Sequence, residues 1–401
     1  MAWVERRGAG FRVRYRLPDG TLTSETGFDT WKVAADRAAD VECEQRNGTL
    51  VDPRLTQTLV GEWVRQWSDA HEVGAGTWAK YDSHLRNHIL PRFGDLALGE
   101  VTRMAVKAWV KSLRRSLAEP TVIDVVSLLS MVLVEAVEEG LIGVNPCRRL
   151  RLRLDGRTER PHARPEQVAE MVRRVRPADG VLIITAAYTG MRWGELTGLQ
   201  WTRVNLDAGE IAINPRDGAL HEVNGQLTLA RPKTRAAART IHLPAFLVEI
   251  LTAHRHQDPD GRFVFTAADG GFHRRSNFRR RVWLPAVDGH PTRGWAPIAP
   301  GLHVHDLRHT HKTWLIEDQV PEVLQSKRLG HELGGIPGVF SHVTPPMIDA
   351  MLDGLQRRWE QYGSTALGDL YHAAKGVKIN CTQSAPTDAE RPAGDDHQQA
   401  V

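Results

Sequence analysis

Five basic residues stand in chemically suggestive settings. They are Arg192 in "YTGMRWGELTGLQW", Lys233 in "RPKTRAAARTIHLP", His305 and Arg308 in "HVHDLRHTHKTWLI", and His331 in "LGHELGG". Two guanidinium forks can neutralise and orient the non-bridging oxygens of a phosphate. Imidazoles can hydrogen-bond the same oxygens or move a proton, and an ammonium can protonate a departing alkoxide. The set is a kit for handling a phosphodiester without a metal. His305 and Arg308 are three apart and fall on one side of a helix. Arg192 lies in a helix–turn context, Lys233 is expected on a hairpin ahead of a strand at 239–243, and His331 at a helix start or turn. Glu195 and Asp306 read as orienters of this basic set. Paired histidines among His303, His305, His309 and His311 could bind zinc. With no carboxylate or Cys arrangement of catalytic type nearby, and Arg308 beside them, the reading is no metal and no cofactor.

Holding five such residues in register needs a substantial scaffold, and 401 residues suggest two or three domains. The formal charge is only +4, with a pI of about 9.0, but positive charge is concentrated in "CRRLRLRLDGR" (147–157) and "FHRRSNFRRRVW" (272–283). Such clusters fit phosphate contacts on nucleic acid. Cys43, Cys147 and Cys381 are too few and too scattered for a disulfide framework. "MAWVERRGAG" has no apolar signal core, and no uninterrupted apolar run approaches spanning length. These features imply a cytoplasmic protein without a membrane partner.

Periodicity divides the chain. Residues 1–54 read as a small sheet-plus-helix module, with strands in "AWVERR", "FRVRYRL" and "TLTSETGF" and a "PDG" turn. Phe11, Val13, Tyr15 and Leu17 alternate with Arg12, Arg14 and Arg16, giving one apolar and one basic face. A helix follows from about Thr30, with Ala34, Ala35, Ala38 and Val41 inward. Residues 55–146 read as all helical. There Thr77 is a candidate cap, Lys80, His84 and His88 form a polar face, and Arg103, Lys107 and Lys111 make a basic stripe. "TVIDVVSLLSMVLVEAVEEGLI" is expected to be a buried central helix. Residues 147–163 form a basic linker. Residues 164–362 mix helices with the strands "GEIAIN", "GQLTLA" and "RTIHLP". Residues 363–401 are polar and are left as a disordered tail. Arg274, Arg275 and Arg279 join Arg12, Arg14, Arg16, Lys80, Arg103, Lys107 and Lys111 as candidate DNA contacts.

The four motifs, in this order, resemble those of the tyrosine recombinases, the phage-integrase family, and the three-part layout is similar to integrases of actinobacterial mobile elements. The resemblance implies a multidomain fold, mainly α with small β parts. It comprises an α+β sheet module that binds arm-type DNA, an all-α core-binding domain and a mixed α/β catalytic domain. It also implies double-stranded attachment-site DNA as partner, a homo-tetramer on that DNA, and room for a directionality factor. Arg192 and Arg308 would clamp the scissile phosphate. Lys233 would be general acid for the 5′-oxygen, His305 would assist proton transfer, and His331 would hydrogen-bond the phosphate.

The family's tyrosine nucleophile follows the second histidine by about nine residues. Here that place holds Phe340, in "FSHV". A phenyl ring has no oxygen lone pair with which to attack phosphorus, so the expectation is DNA binding without cleavage. Two origins stay open, a Tyr-to-Phe substitution and a naturally silent DNA-binding regulator. The intact remainder of the motif set favours the first. After Phe340, Thr344 and two prolines begin a helix whose Ile348, Met351, Leu352, Leu355 and Trp359 form an apolar stripe. By the resemblance, this stripe would dock on a neighbouring subunit.

Overall fold

The computed structural model describes residues 1–17, 19–152, 160–332 and 342–363. The chain divides into two compact units, Met1–Thr158 and Glu159–Val401.

In the first unit, strands β1 (Trp3–Arg7), β2 (Gly10–Arg16) and β3 (Leu22–Phe28) form an antiparallel sheet in the order β1-β2-β3. The two-residue alternation puts Val13, Tyr15 and Leu17 on one face, where they bury against Ala34, Ala38 and Val41 of helix α1 (Trp31–Asn47). Thr30 caps α1 by accepting from the Val33 N–H, and Gly48 ends it with φ 66°, a conformation glycine adopts without steric cost.

Helices α2 (Val60–Ala70), α3 (Ala75–His84), α4 (Leu90–Phe93), α5 (Arg103–Leu113) and α6 (Glu119–Glu138) enclose a second core. By length and composition α6 matches a membrane span, but Asp124, Ser127, Ser130 and Glu135 interrupt its apolar run. Its Val122, Val125, Leu129, Val132 and Leu133 are spent on this core. Two expectations fail here. Thr77 is not a cap, because α3 starts earlier, from Gly74, and Thr77 lies inside it. His84 does not lie on a polar face and is buried. A π-type turn at Leu85–Ile89 follows directly, adding a residue to the repeat and shifting which side chains face inward.

The second unit is built from α7 (Pro165–Arg173), α8 (Pro177–Thr189), α9 (Trp193–Thr197), α10 (Ala245–Gln257), α11 (Arg275–Phe278), α12 (Leu284–Asp288), α13 (Asp306–Glu317), α14 (Glu322–Leu329) and α15 (Pro345–Tyr362). Its strands are β4 (Val204–Asn205), β5 (Glu210–Ile213), β6 (Ala219–Val223), β7 (Gln226–Ala230) and β8 (Arg239–His242). They make an antiparallel sheet β4-β5-β8 and a separate hairpin β6-β7. Helix α8 is apolar all round and buried from Asp179 to Thr189, which puts the motif that follows it on a rigid central rod.

The stripe on α15 packs within this unit. Met351, Leu355 and Trp359 belong to its core, and Trp359 stacks on Phe246 with centroids 4.3 Å apart and also meets Tyr188. Arg358 ties α15 to α13 through Asp318 (2.7 Å) and Glu317 (3.0 Å). The expected docking on a neighbour is therefore corrected: the apolar surface that would drive it is already buried at home.

Candidate functional site

Helix α8 ends at Gly190, with φ 65°, and the next turn places Arg192 at the N-terminal cap of α9. The tight spot requires glycine, since a Cβ there would meet Leu329 at 2.6 Å and the His311 ring at 2.9 Å. Glu195, one turn on, is buried. Its Oε2 accepts from the Arg192 backbone N–H (3.0 Å) and its Oε1 from Arg192 Nη1 (2.9 Å). Arg192 Nη2 donates to the Gly330 carbonyl at 3.3 Å. The first arginine is thereby tied to the segment that carries His331.

Arg308 lies in the first turn of α13 and is buried. It donates to the Gly190 carbonyl at 2.6 Å and to the Leu329 carbonyl, and its Nη2 lies 2.9 Å from His331 Nε2. A guanidinium only donates, so that ring nitrogen accepts and His331 is the neutral Nδ1–H tautomer. The electrostatics agree. Burial first, and then the Arg308 and Arg192 charges, lower His331 to about 4. Burial, followed by the Arg192 and Arg239 charges, pulls Arg308 down to about 9, so it stays cationic at neutral pH. His305 caps α13, and burial, followed by His309 and Arg308, lowers its imidazole.

Arg192, Lys233 and His305 line a cavity of about 820 Å³, together with Arg275 and Arg279. Lys233 is exposed. It does not sit on the hairpin turn, as expected. It lies three residues beyond β7, on the segment leading to β8, because β7 pairs only with β6 and β8 pairs with β5. His331 borders a different cavity, beside Arg239, Arg328 and the start of α15. It follows the end of α14, whose cap is Gly330. Phe340 lies outside the described residues. Among the described tyrosines, Tyr188 is core: it is packed edge-on to Phe246, and burial pushes its phenol up. Tyr15 is buried in the sheet module, donating to Glu25 at 2.7 Å.

Two arginines here were not singled out from sequence. Arg239, with a side chain 3% exposed, grips Glu195 through both Nη atoms (3.2 and 3.0 Å). Arg328 is buried and donates to His311 Nε2 (2.8 Å) and to the carbonyls of Tyr188 and His242 (both 2.9 Å). The available signal for Arg239 was strand alternation. Arg239, Ile241 and Leu243 share parity, so an arginine occupies the inward face. On Glu195, burial pushes the carboxyl up, but Arg239 and Arg192 outweigh it and hold it below its ordinary value.

The candidate DNA contacts differ in freedom. Arg12 and Arg14 reach Glu5 at 2.5 and 3.2 Å, and Arg16 bonds the Gly20 carbonyl. Lys80 pairs with Asp124 at 2.6 Å, Arg103 binds the Arg148 and Arg149 carbonyls, and Arg274 binds Glu222 at 3.0 Å. Lys107, Lys111, Arg275 and Arg279 are exposed.

The same architecture recurs in known proteins. Residues 164–344 match the phage integrase family, and residues 59–114 match the phage integrase N-terminal SAM-like domain. The putative prophage phiRv2 integrase of Mycobacterium tuberculosis is 27% identical over 355 residues, covering 83% of this chain and 88% of its own length. The integrase of Mycobacterium phage L5 is 28% identical, covering 76% and 77%. Among solved structures, the Tn1549 transposon integrase in complex with transposon right end DNA superposes with a TM-score of 0.60 at 16% identity, covering 76% of this chain and 99% of that one. A lambda integrase tetramer bound to a Holliday junction gives 0.52 at 17% identity, covering 82% and 95%. The chain belongs to the phage integrase family of tyrosine recombinases.

Proposed function

We propose that this chain is a site-specific integrase that binds attachment-site DNA and, in the present form, holds the scissile phosphate without cutting it. The observation that carries this reading is the convergence of Arg192, Arg308 and His331 through the 190–192 and 329–331 backbone, with Lys233 and His305 on the cavity that Arg192 shares. An incoming phosphodiester replaces carbonyls as the acceptor of guanidinium N–H groups. The two arginines then neutralise its charge where little water competes, and the neutral His331 offers its ring N–H.

In the reaction typical of this family, a tyrosine oxygen forms a bond to phosphorus as the bond from phosphorus to the 5′-oxygen breaks. The phenol proton leaves to a base, the role we give His305, and Lys233 Nζ supplies the proton taken by the 5′-oxygen. The product is a 3′-phosphotyrosyl enzyme. Phe340 removes only the attacking oxygen. The lambda tetramer on a Holliday junction supports a homo-tetramer on DNA, and the three-stranded module with Arg12, Arg14 and Arg16 on one face is assigned to arm-type DNA. A directionality factor and a cytoplasmic setting, close to the host DNA, complete the reading.

A naturally silent regulator is the second reading, favoured by Phe340 itself. The test begins by selecting a half-site from a random duplex library and nicking it near the bound phosphate. Phe340→Tyr should then trap a covalent adduct stable to boiling in detergent, while the present chain gives none. Binding of both forms without an adduct from either would overturn the integrase reading in favour of the regulator.

A further inference from the structure

Arg239 is the most highly connected side chain of the basic site, with a side chain 3% exposed and its guanidinium held by four hydrogen bonds within the protein. Its Nε donates to the Arg328 carbonyl at 2.6 Å, and Nη1 donates to the Ala237 carbonyl at 2.8 Å. Nη1 and Nη2 also hold the two oxygens of Glu195. Three separate segments therefore meet on one guanidinium. The first is the 234–238 stretch that follows Lys233, the second is the α9 cap that presents Arg192, and the third is the end of α14 that presents His331. The packing around it is close: a Cβ on Gly330 would lie 2.8 Å from the Ala236 carbonyl, 3.0 Å from Ala237 Cα and 3.1 Å from Arg239 Nη1. Glu195 is shared evenly, each of its oxygens accepting from both Arg192 and Arg239.

We propose that Arg239 is a positioning residue that sets the Lys233 segment in register with the Arg192–His331 phosphate clamp, so that the general acid meets the leaving oxygen of the phosphate the clamp holds. This rests on the reading of Lys233 and the clamp given above. Removing the guanidinium frees the Ala237 carbonyl of the 234–238 stretch from its tie to the Arg328 carbonyl and Glu195, while Glu195 and Arg192 still pair with each other. The loss therefore falls on delivery of the proton more than on capture of the phosphate. Lysine keeps the charge but cannot fork onto a carboxylate and two carbonyls at once.

The experiment uses the full-length Phe340→Tyr chain and two nicked half-sites. One carries the ordinary 5′-oxygen at the scissile bond, and the other carries sulfur there. With sulfur, the tyrosine oxygen bonds to phosphorus, the phosphorus–sulfur bond breaks, and the thiolate departs with the electron pair and needs no proton. Arg239→Met should slow adduct formation about 100-fold on the oxygen substrate, the scale of a lost general acid, but less than about tenfold on the sulfur substrate. Arg239→Lys should show the same split with a smaller loss, and half-site binding should stay within about threefold of the parent for both. Equal losses on both substrates, or loss of binding and a lowered unfolding midpoint in both variants, would overturn the proposal and leave Arg239 as scaffold. No adduct from the parent on either substrate would instead sink the integrase reading, and this proposal with it.

Discussion

The N-terminal sheet and the catalytic unit use the same ingredients, three arginines and one glutamate, to opposite ends. On the sheet, Arg12, Arg14 and Arg16 line one strand, and Glu5 answers two of them from the neighbouring strand. All four groups stay near water, and the Glu5 carboxyl is held at about 2 by the Trp3 indole N–H and by Arg12. In the catalytic unit, Arg192 and Arg239 pair with Glu195, whose side chain is 1% exposed, and Arg308 bonds the neighbouring Gly190 and Leu329 carbonyls. Exposed pairs rearrange at little cost when a phosphate arrives. In the buried set each guanidinium is already bonded to a carbonyl from a distant segment, so a change of partner there costs more. One arrangement is exposed and adaptable, and the other is buried and preformed.

The largest effect tests burial without charge. Leu355 is fully buried in the catalytic core, so Leu355→Asp should cost at least about 5 kcal/mol, the sum of a lost core side chain and an unpaired buried carboxyl. Gel shifts should show single-protomer and higher-order DNA complexes lost together. Loss of the higher-order bands alone would restore docking between subunits.

Next comes the carboxylate that distinguishes the two clusters. Glu195→Gln leaves Arg192 and Arg239 facing each other in a buried site and should cost about 3–5 kcal/mol, read as a lower urea midpoint. Glu5→Gln should leave the midpoint unchanged. Equal effects at the two positions would remove the distinction.

Acid should separate the clusters in the same way. The imidazoles of His331, His305 and His311 are all lowered, burial being the leading cause for each. As pH falls below the ordinary imidazole value of 6.5 toward about 4, the unfolded chain takes up protons that the folded chain refuses. Stability present at neutral pH is lost through that window. Glu195, held low, adds a loss only below the ordinary carboxylate value of 4.5. Thermal melts from pH 7 to 4 should show the catalytic unit's transition moving down first. The smallest effects belong to single surface cations. Lys107→Ala should reduce the slope of log binding against log salt by about 0.9 if it meets one phosphate. Arg14→Ala should change it less, since Glu5 already offsets part of its charge.

Residue type and short spacing sufficed to single out Arg192, Lys233, His305, Arg308 and His331, of which the fold brings Arg192, Arg308 and His331 together and puts Lys233 and His305 on the cavity that Arg192 lines. Glu195 could be read as an orienter because it lies one turn after Arg192. Arg239 and Arg328 could not be read in this way. Their roles arise from carbonyls of Ala237, Tyr188 and His242, which only folding brings near. The stripe on α15 was visible as a helical repeat, but periodicity names a buried face and not its partner. His84 was misplaced because a π-type turn leaves no mark in polar and apolar spacing. Strand β4, two residues long, is too short to show alternation at all.

The most direct test of the proposed clamp uses the chain as it stands, because Phe340 offers no attacking oxygen and the proposed DNA complex should stay intact for measurement. Histidine-selective carbon labelling can follow the titration of His331 by NMR, with a His331→Gln variant to assign the signal. In the free protein His331 should titrate at about 4. With a selected half-site bound, a phosphate within a few ångströms should raise that value by more than about one unit. An unchanged titration with the DNA bound would contradict the account.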